Sequence, residues 1–516
     1  MSTIAADFVS GDRRIAGAEV AERARRIAGG LQALGVGPGD CVAILMRNDP
    51  AFLEATYGTM LLGAYAVPVN WHFKPEEIAY VLRDCGAKAV FAHDDLLATL
   101  GDAVLGDAVP PGPAVVAVPS PPEVRAAYGL PDTAPAVPGA VAIEDWLAGC
   151  TPYDGPPVPA PQSMIYTSGT TGYPKGVRRK APTPYEAAAT GKLRALVYGL
   201  RPGMRMILPG PLYHSAPNSY GVNGGRIGEL VVMMPRFEPE AFLKLVEEHR
   251  IDTAFMVPTM LIRLLKLPEE VRRRYDVSSI RHVCHAAAPC PADVKTAMIE
   301  WWGPVINEFY GGTETGPVTY CTSAEAIARP GTVGRASPGC ELRFLDDDDR
   351  EVPEGEPGEI YSRIDGYPDF TYQNDPDKRR SVERDGFVTC GDIGWRAPDG
   401  YVYLCDRKRD MVISGGVNIY PAEIEAVLHG LPGVHDCAVF GVPDPEFGEA
   451  LMAVVEPQPG ITLDPDDLRR AMLPHLAGYK VPKRIEIRTG LPREDSGKIF
   501  KRRLRDPYWQ EAGRRI

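Results

Sequence analysis

The pattern that most limits the fold is a regular exchange of helical and strand signals. Residues 15–34 space Val20, Ala24, Ile27, Leu31 and Leu34 at helical intervals, and "GVGPGD" stops that helix. "CVAILM" (41–46) reads as a short buried strand and 50–63 as a second helix. The pattern returns with helix 239–249, strand 253–257, helix 258–267 and helix 291–302. Strands alternating with helices build parallel sheets covered on both faces. The predicted class is α/β, and 516 residues with 44% hydrophobic content predict two or more domains. Two proline-rich stretches, "VPPGPAVVAVPSPPEV" and "PYDGPPVPAPQ", are expected to be surface connections.

The style changes around 386–405, where "GFVTCGDIGWRAPDGYVYLCD" carries an Asp-Gly turn between two β-rich runs. After "RKRD" comes a fresh α+β unit: helix 421–429, strand runs "DCAVFGV" and "EALMAVVEP", helix 465–475 and strand "RIEIR". The boundary is placed at Arg407–Arg409. A net charge of −12 and an isoelectric point near 5.4 argue against a nucleic-acid partner or an anionic membrane surface. Ten cysteines without a Cys-x-x-Cys pair suit a reducing compartment. No signal-like start and no run of about 18 apolar residues occur, so a cytoplasmic protein without a transmembrane segment is expected. A homodimer is the expected assembly, two-fold oligomers being the commonest.

"IYTSGTTGYPKGV" (165–177) gathers Thr167, Ser168, Thr170 and Thr171 around Gly169, Gly172 and Gly176, with Lys175 behind a proline. Glycines let backbone amides face a ligand, hydroxyls add donors that rotate to suit it, and the lysine adds charge. The segment suits phosphate oxygens. It lacks the spacing of a Walker A motif, as does "DSGKIF", and no G-x-G-x-x-G follows a strand. "HVCH" (282–285) forms no closed metal set, and a structural role is expected for it. "YGGTETG" (310–316) offers Glu314 as a ligand for a nucleotide's Mg²⁺, and "GDIG" offers Asp392 for sugar hydroxyls. "PREDSGKIFKRRL" exposes Lys498 beside a glycine, free to reach another domain's site.

Together and in this order, "YTSGTTGYPKGV", "YGGTETG", "GDIGWRAPDGYVYLCDRKRDMV", "SGGVNIYPAEIE" and "DSGKI" resemble the adenylate-forming (AMP-binding) superfamily, in its acyl-CoA synthetase branch. The resemblance covers nearly the whole chain. It implies a large N-terminal domain of αβαβα type, residues 1–408, and a small mobile α+β cap, residues 409–516. It implies ATP, Mg²⁺ and coenzyme A as co-substrates and cofactor. By resemblance, Thr167–Gly172 and Lys175 cradle phosphates, Thr170 and Glu314 hold Mg²⁺, and Asp392 with Arg407 grips the ribose. Tyr310 stacks on adenine beside Ala287, Ala288 and Pro289, while Glu308, Gly311 and Thr313 complete the nucleotide set. Lys498 bridges carboxylate and α-phosphate. Lys408 and Arg409 form the hinge, with arginine where the family commonly has Asp or Lys, and Ser414, Gly415 and Gly416 line the thiol tunnel. Thr170, His214, Glu314 and Lys498 are the implied catalytic set.

The implied activity is AMP-forming ligation of a carboxylic acid to coenzyme A. The alternatives are an adenylating enzyme that loads a carrier protein and a binding homologue without turnover. "PLYHSAPNSYG" carries no acidic residue to pair with a substrate ammonium, which weighs against an amino acid. The resemblance places the acyl pocket at Tyr213, His214, Gly311 and Gly312. Members that use acetate carry tryptophan at the place of Gly311. With that plug absent and Ser215, Ala216, Ser219, Gly221, Gly224 and Gly225 following His214, a bulky hydrophobic acid is expected: fatty, arylalkanoic or steroid-type. Close helix packing is the alternative use of those small residues.

Overall fold

The structure is a computed structural model that describes residues 4–100, 114–133, 137–156, 158–167, 174–407, 410–414, 417–444, 447–493 and 499–511. Two sheets dominate the N-terminal part. The larger has nine strands in the spatial order Arg335–Ala336, Gly316–Cys321, Ile306–Gly312, His282–His285, Thr253–Met256, Arg205–Leu208, Leu230–Met233, Asp7–Ser10, Arg13–Ile15. Its middle runs parallel and both margins turn antiparallel. The second sheet has five parallel strands ordered Tyr65–Pro68, Cys41–Leu45, Ala87–His93, Ala114–Val118, Ala140–Ala142.

Alternation along each strand sorts side chains into layers. Val42 and Ile44 of one sheet and Met206, Leu208, Val231 and Met233 of the other share a core with helices Gly17–Ala33, Pro50–Leu61 and Ser215–Ile227. Cys41, Ala43 and Leu45 face the opposite way, under helix Pro75–Cys85. Ile207 and Val232 face helices Pro239–His249 and Pro258–Leu265. The stacking is helix, sheet, helix, sheet, helix, the αβαβα class expected. Helix Pro239–His249, strand Thr253–Met256 and helix Ala292–Trp302 fall within two residues of their sequence-based bounds.

Beyond these layers lie an antiparallel sheet (Cys340–Leu345, Gly358–Ile364, Phe387–Arg396, Glu383–Arg384 and Val402–Arg407) and a three-stranded one (Phe370–Tyr372, Lys175–Arg179, Ile165–Thr167). The Asp399–Gly400 turn joins two paired strands, as expected. The C-terminal part is α+β. Strands Val412–Ser414, Val417–Ile419, Val434–Asp444, Gly448–Pro457 and Arg484–Ile487 form one sheet whose core, among the described residues, draws on those from Val412 onward. One helix there, Lys501–Glu511, grows from the "KRRL" run that reads as basic surface.

One expectation fails. "VPPGPAVVAVPSPPEV" is not only a connection: Ala114–Val118 is a strand with Val116 fully buried, and Pro122–Tyr128 is a helix. Of the described prolines, Pro119 follows the strand's last residue, and Pro121 and Pro122 stand at the N-cap and first turn of the helix, where no intrahelical donor is lost. The "AVVAV" before them carries the β-branched residues a buried strand wants.

Glu54, on helix Pro50–Leu61, is only 2% exposed and accepts a 2.8 Å hydrogen bond from Arg23 Nε. Burial pushes its carboxyl up to about 7 from 4.5, with Arg23 opposing. The folded state therefore binds this proton more tightly than the unfolded chain. Its contribution is full below about pH 4.5 and declines as pH rises toward about 7, by up to about 1.4 kcal/mol per pH unit. Glu54→Gln should gain stability relative to the native chain between about pH 5 and about pH 8, read by denaturant unfolding. A loss of equal size at both pH values would mean that the pair stays ionised throughout.

Candidate functional site

A cavity of about 860 Å³ opens beyond the carboxyl ends of the parallel strands, where Gly210, Val257 and Ala286 come just after three strands and Gly311 stands next to last in a fourth. Open α/β sheets bind ligands at this edge because the chain there is free to form loops. Thr167 and Lys175, on paired strands, border the cavity from one side. Thr313, Glu314 and Asp392 border it from another. Glu314 Oε1 accepts a hydrogen bond from Tyr372 OH at 3.0 Å, and Asp392 Oδ2 accepts one from Tyr310 OH at 2.9 Å. Burial and the Glu314 carboxylate push the Tyr372 phenol up, so it remains a donor. Lys175 Nζ donates to Asp375 Oδ2 at 3.0 Å. Arg407 stands opposite Asp392 in an antiparallel ladder.

Ala287 and Ala288 line the cavity, and Ala287 adopts φ +78°. A side chain in this left-handed region costs about 1–2 kcal/mol. Strain held at a loop that lines a cavity is a common mark of a binding site. Pro289 lies off the wall.

Tyr213 and His214 lead into helix Ser215–Ile227, and both line the cavity. Asn48, buried at 4% exposure, holds this segment. Its amide donates to the carbonyls of Gly210 and Met234 at 2.9 and 3.1 Å and accepts from Leu212 N at 2.9 Å. Ser215, Ala216 and Ser219 face the cavity. The glycines do not. A Cβ would come within 2.9 Å of Leu212 at Gly221, 2.1 Å of Met206 at Gly224 and 2.4 Å of Tyr57 at Gly225. The run of small residues therefore divides between the two uses the sequence allows, pocket for the first half and packing for the second.

Gly311 and Gly312 both border the cavity. A Cβ on Gly311 would lie 1.9 Å from the carbonyl oxygen of Gly316, across the Ile306–Gly312/Gly316–Cys321 hairpin. Glycine here is demanded by backbone contact as well as by pocket depth, so a tryptophan cannot enter without moving the hairpin. Glu308 departs from its nucleotide assignment. It is 4% exposed, off the cavity, and accepts a 2.7 Å hydrogen bond from Lys295 Nζ. Strand alternation explains this: Glu308 turns toward helix Ala292–Trp302 while Phe309 turns toward the cavity. His282 and His285 are structural: His282 Nε2 lies 3.0 Å from the Val197 carbonyl, and His285 is fully buried with its proton affinity pushed down to about 3. Ser168, Gly169, Thr170, Thr171, Gly172, Lys408, Arg409, Gly415, Gly416 and Lys498 lie outside the described residues. Ser414 ends a strand of the C-terminal sheet.

Arg179 escaped the sequence reading. At 5% exposure its guanidinium donates to the carbonyl oxygens of Thr313 (2.9 Å), Glu314 and Pro368, and it sits over the Tyr367 and Phe370 rings. It fixes the turn that presents Glu314. The one hint is alternation: in "KGVRR" Arg179 shares a strand face with Val177. Arg179→Met should strip these carbonyls of their donor, costing about 2–4 kcal/mol of stability. It should also raise KM for ATP more than KM for the acid. Unchanged melting and unchanged KM for ATP would remove Arg179 from this role.

Comparison with known proteins fits this geometry. The AMP-binding enzyme family model matches residues 2–367, and that of the AMP-binding enzyme C-terminal domain matches 423–498. A feruloyl-CoA synthase of Amycolatopsis is 35% identical over 495 residues, 95% of this chain and 93% of that protein. A long-chain-fatty-acid–CoA ligase of Mycobacterium tuberculosis is 32% identical over 508 residues, 97% of this chain and 94% of that protein. The crystal structure of an anthranilate CoA ligase in complex with anthranoyl-AMP superposes with a TM-score of 0.84 at 26% identity, covering 99% of this chain and 95% of that one. The chain belongs to the AMP-binding enzyme family, whose acid–CoA ligases are its relatives over nearly its whole length.

Proposed function

We propose that this enzyme activates a bulky, largely apolar carboxylic acid as its acyl-adenylate and transfers the acyl group to coenzyme A. The observation that carries the reading is the single cavity, bordered by Thr167, Lys175, Glu314 and Asp392 in one part and by small and apolar residues of helix Ser215–Ile227 in another. In the first half-reaction a carboxylate oxygen bonds to the α-phosphorus of ATP and pyrophosphate leaves. In the second the coenzyme A sulfur attacks the acyl carbon and AMP leaves. Both reactants of the first step are anions, so the site must neutralise charge rather than supply a covalent group.

Each assigned residue has a task. The Thr167–Gly172 segment and Lys175 receive the β- and γ-phosphates, Asp392 and Arg407 take the ribose hydroxyls, and Tyr310 stacks on the adenine. Its hydroxyl bond to Asp392 fixes the ring. Glu314 faces the cavity with Oε1 bonded to Tyr372 and Oε2 meeting only the Cys390 thiol at 4.0 Å, a weak contact that a cation would replace. That suits Mg²⁺, which binds through one or two protein ligands and keeps phosphate oxygens and water as the rest. Glu314 and Thr170 would hold it, and it would supply Lewis-acid charge neutralisation on the phosphates. His214 orders the acid's carboxylate, and Lys498 bridges that carboxylate and the α-phosphate. The boundary at 408/409 separates a cap that swings about Lys408–Arg409, withdrawing Lys498 and presenting Ser414–Gly416 to the thiol. The self-contained core from Val412 onward supports this division.

Incubation with ATP, Mg²⁺ and a panel of acids should release AMP and pyrophosphate, and coenzyme A should trap a thioester. ADP with phosphate would overturn the adenylate chemistry. Adenylate formed without thioester would point to a carrier-protein acceptor. Lys498→Ala should slow adenylation about 10²–10³-fold, as loss of a charge-stabilising donor does. Thioester formation from supplied acyl-adenylate should stay near native. Equal losses in both half-reactions would reject the swinging cap.

A further inference from the structure

Two helices wall the acyl part of the cavity. Ala187, Thr190 and Leu193 of helix Pro184–Tyr198, and Ser219, Val222 and Asn223 of helix Ser215–Ile227, recur at helical spacing and face it. Each wall carries an arginine on that same face, Arg194 on the first and Arg226 on the second. Arg226 stands about 16 Å along its helix from Ser215, at 1.5 Å per residue, and so far from the reacting carboxylate. Helical side chains lean toward the N-terminus, which carries its guanidinium back along the wall.

Among the described residues neither arginine has a carboxylate partner. Arg226 Nε is buried without an acceptor, its Nη2 reaches only the Met60 sulfur at 3.4 Å, and its guanidinium lies 5.6 Å from the Tyr57 ring centre. Burial depresses its proton affinity, with Arg194 adding repulsion. A basic residue in the last turn of a helix ordinarily bonds the free carbonyls there, but Arg226 bonds none of them. The carboxylates that border the cavity, Glu314, Glu359 and Asp392, belong to strands and loops outside these two walls. A guanidinium whose one acceptor is a weak thioether sulfur, in the wall of a ligand cavity, is complementary to a carboxylate, which it binds through two parallel hydrogen bonds.

We propose that Arg226, assisted by Arg194, is a specificity-determining subsite for an anionic group at the far end of the acid, so that the preferred substrate is a dicarboxylate with an apolar body. This rests on the ligase reading and names its substrate class.

The test compares matched pairs, octanoate with octanedioate, decanoate with decanedioate, and 3-phenylpropanoate with its para-carboxylate, by pyrophosphate release and thioester formation in the full-length enzyme. The native enzyme should favour at least one diacid over its monoacid by about 10-fold or more in kcat/KM. Arg226→Met should lower that ratio by a similar factor, Arg194→Met by less, and Arg226→Lys should recover part of it. Should Arg226→Met fail to fold, the native ratios and Arg194→Met decide. Native preference for every monoacid, or a ratio unmoved in folded Arg226→Met, overturns the subsite while leaving the ligase intact. Preference for a para-hydroxyl over the para-carboxylate overturns it too. Release of ADP in place of AMP would overturn the ligase reading, and the subsite with it.

Discussion

The Arg179 guanidinium ties together parts of the site that belong to different sheets. It rises from the three-stranded sheet, takes the carbonyls of Thr313 and Glu314 from a hairpin turn of the nine-stranded sheet, and is roofed by Tyr367 and Phe370. Its recorded partners are carbonyls and ring faces, so its charge is spread over dipoles rather than cancelled. Such an arrangement tolerates little displacement, because each carbonyl it leaves would be buried without a donor. The same turn sets the Gly311–Gly316 approach that floors the cavity, and hence the room above it. The place of Glu314 and the depth of the cavity there thus both depend on the turn that this one side chain holds.

Much of the fold was legible because it follows from periodicity. Helices such as Pro239–His249 and Pro421–His429 begin at proline and run until the apolar repeat stops. The Asp399–Gly400 turn was readable from its two residues alone. Motif order singles out Glu314 and Asp392, and both border the cavity. What escaped depends on distant neighbours. Ala114–Val118 is a strand because the strand Ala87–His93 has an edge to offer it, and prolines at its borders mask the signal. Arg179, Asn48 and Arg226 carry no local signature, since their roles come from carbonyls and cavities far along the chain. Glu308 looked available because it stands beside a motif, but strand alternation turns it into the protein.

Charge is distributed unevenly in this acidic chain. Lys175 borders one region of the cavity and Arg194 and Arg226 another, inside a chain of net charge −12. Cations held in a concave wall act locally and are screened less than surface charge. An anionic substrate therefore meets a favourable interior inside a protein that repels polyanions at large.

Helix Ser215–Ile227 has two faces with separate duties. Gly221, Gly224 and Gly225 press against Leu212, Met206 and Tyr57, where any added atom collides. Ser219, Asn223 and Arg226 border open volume, where a change of side chain alters what the cavity accepts. Mutation can therefore explore new acids along one stripe while the other keeps the helix in register. In a lineage that duplicates such a gene, substrate range can drift quickly with little passage through unstable intermediates, and the record of that drift would be written in every third or fourth residue of this single helix.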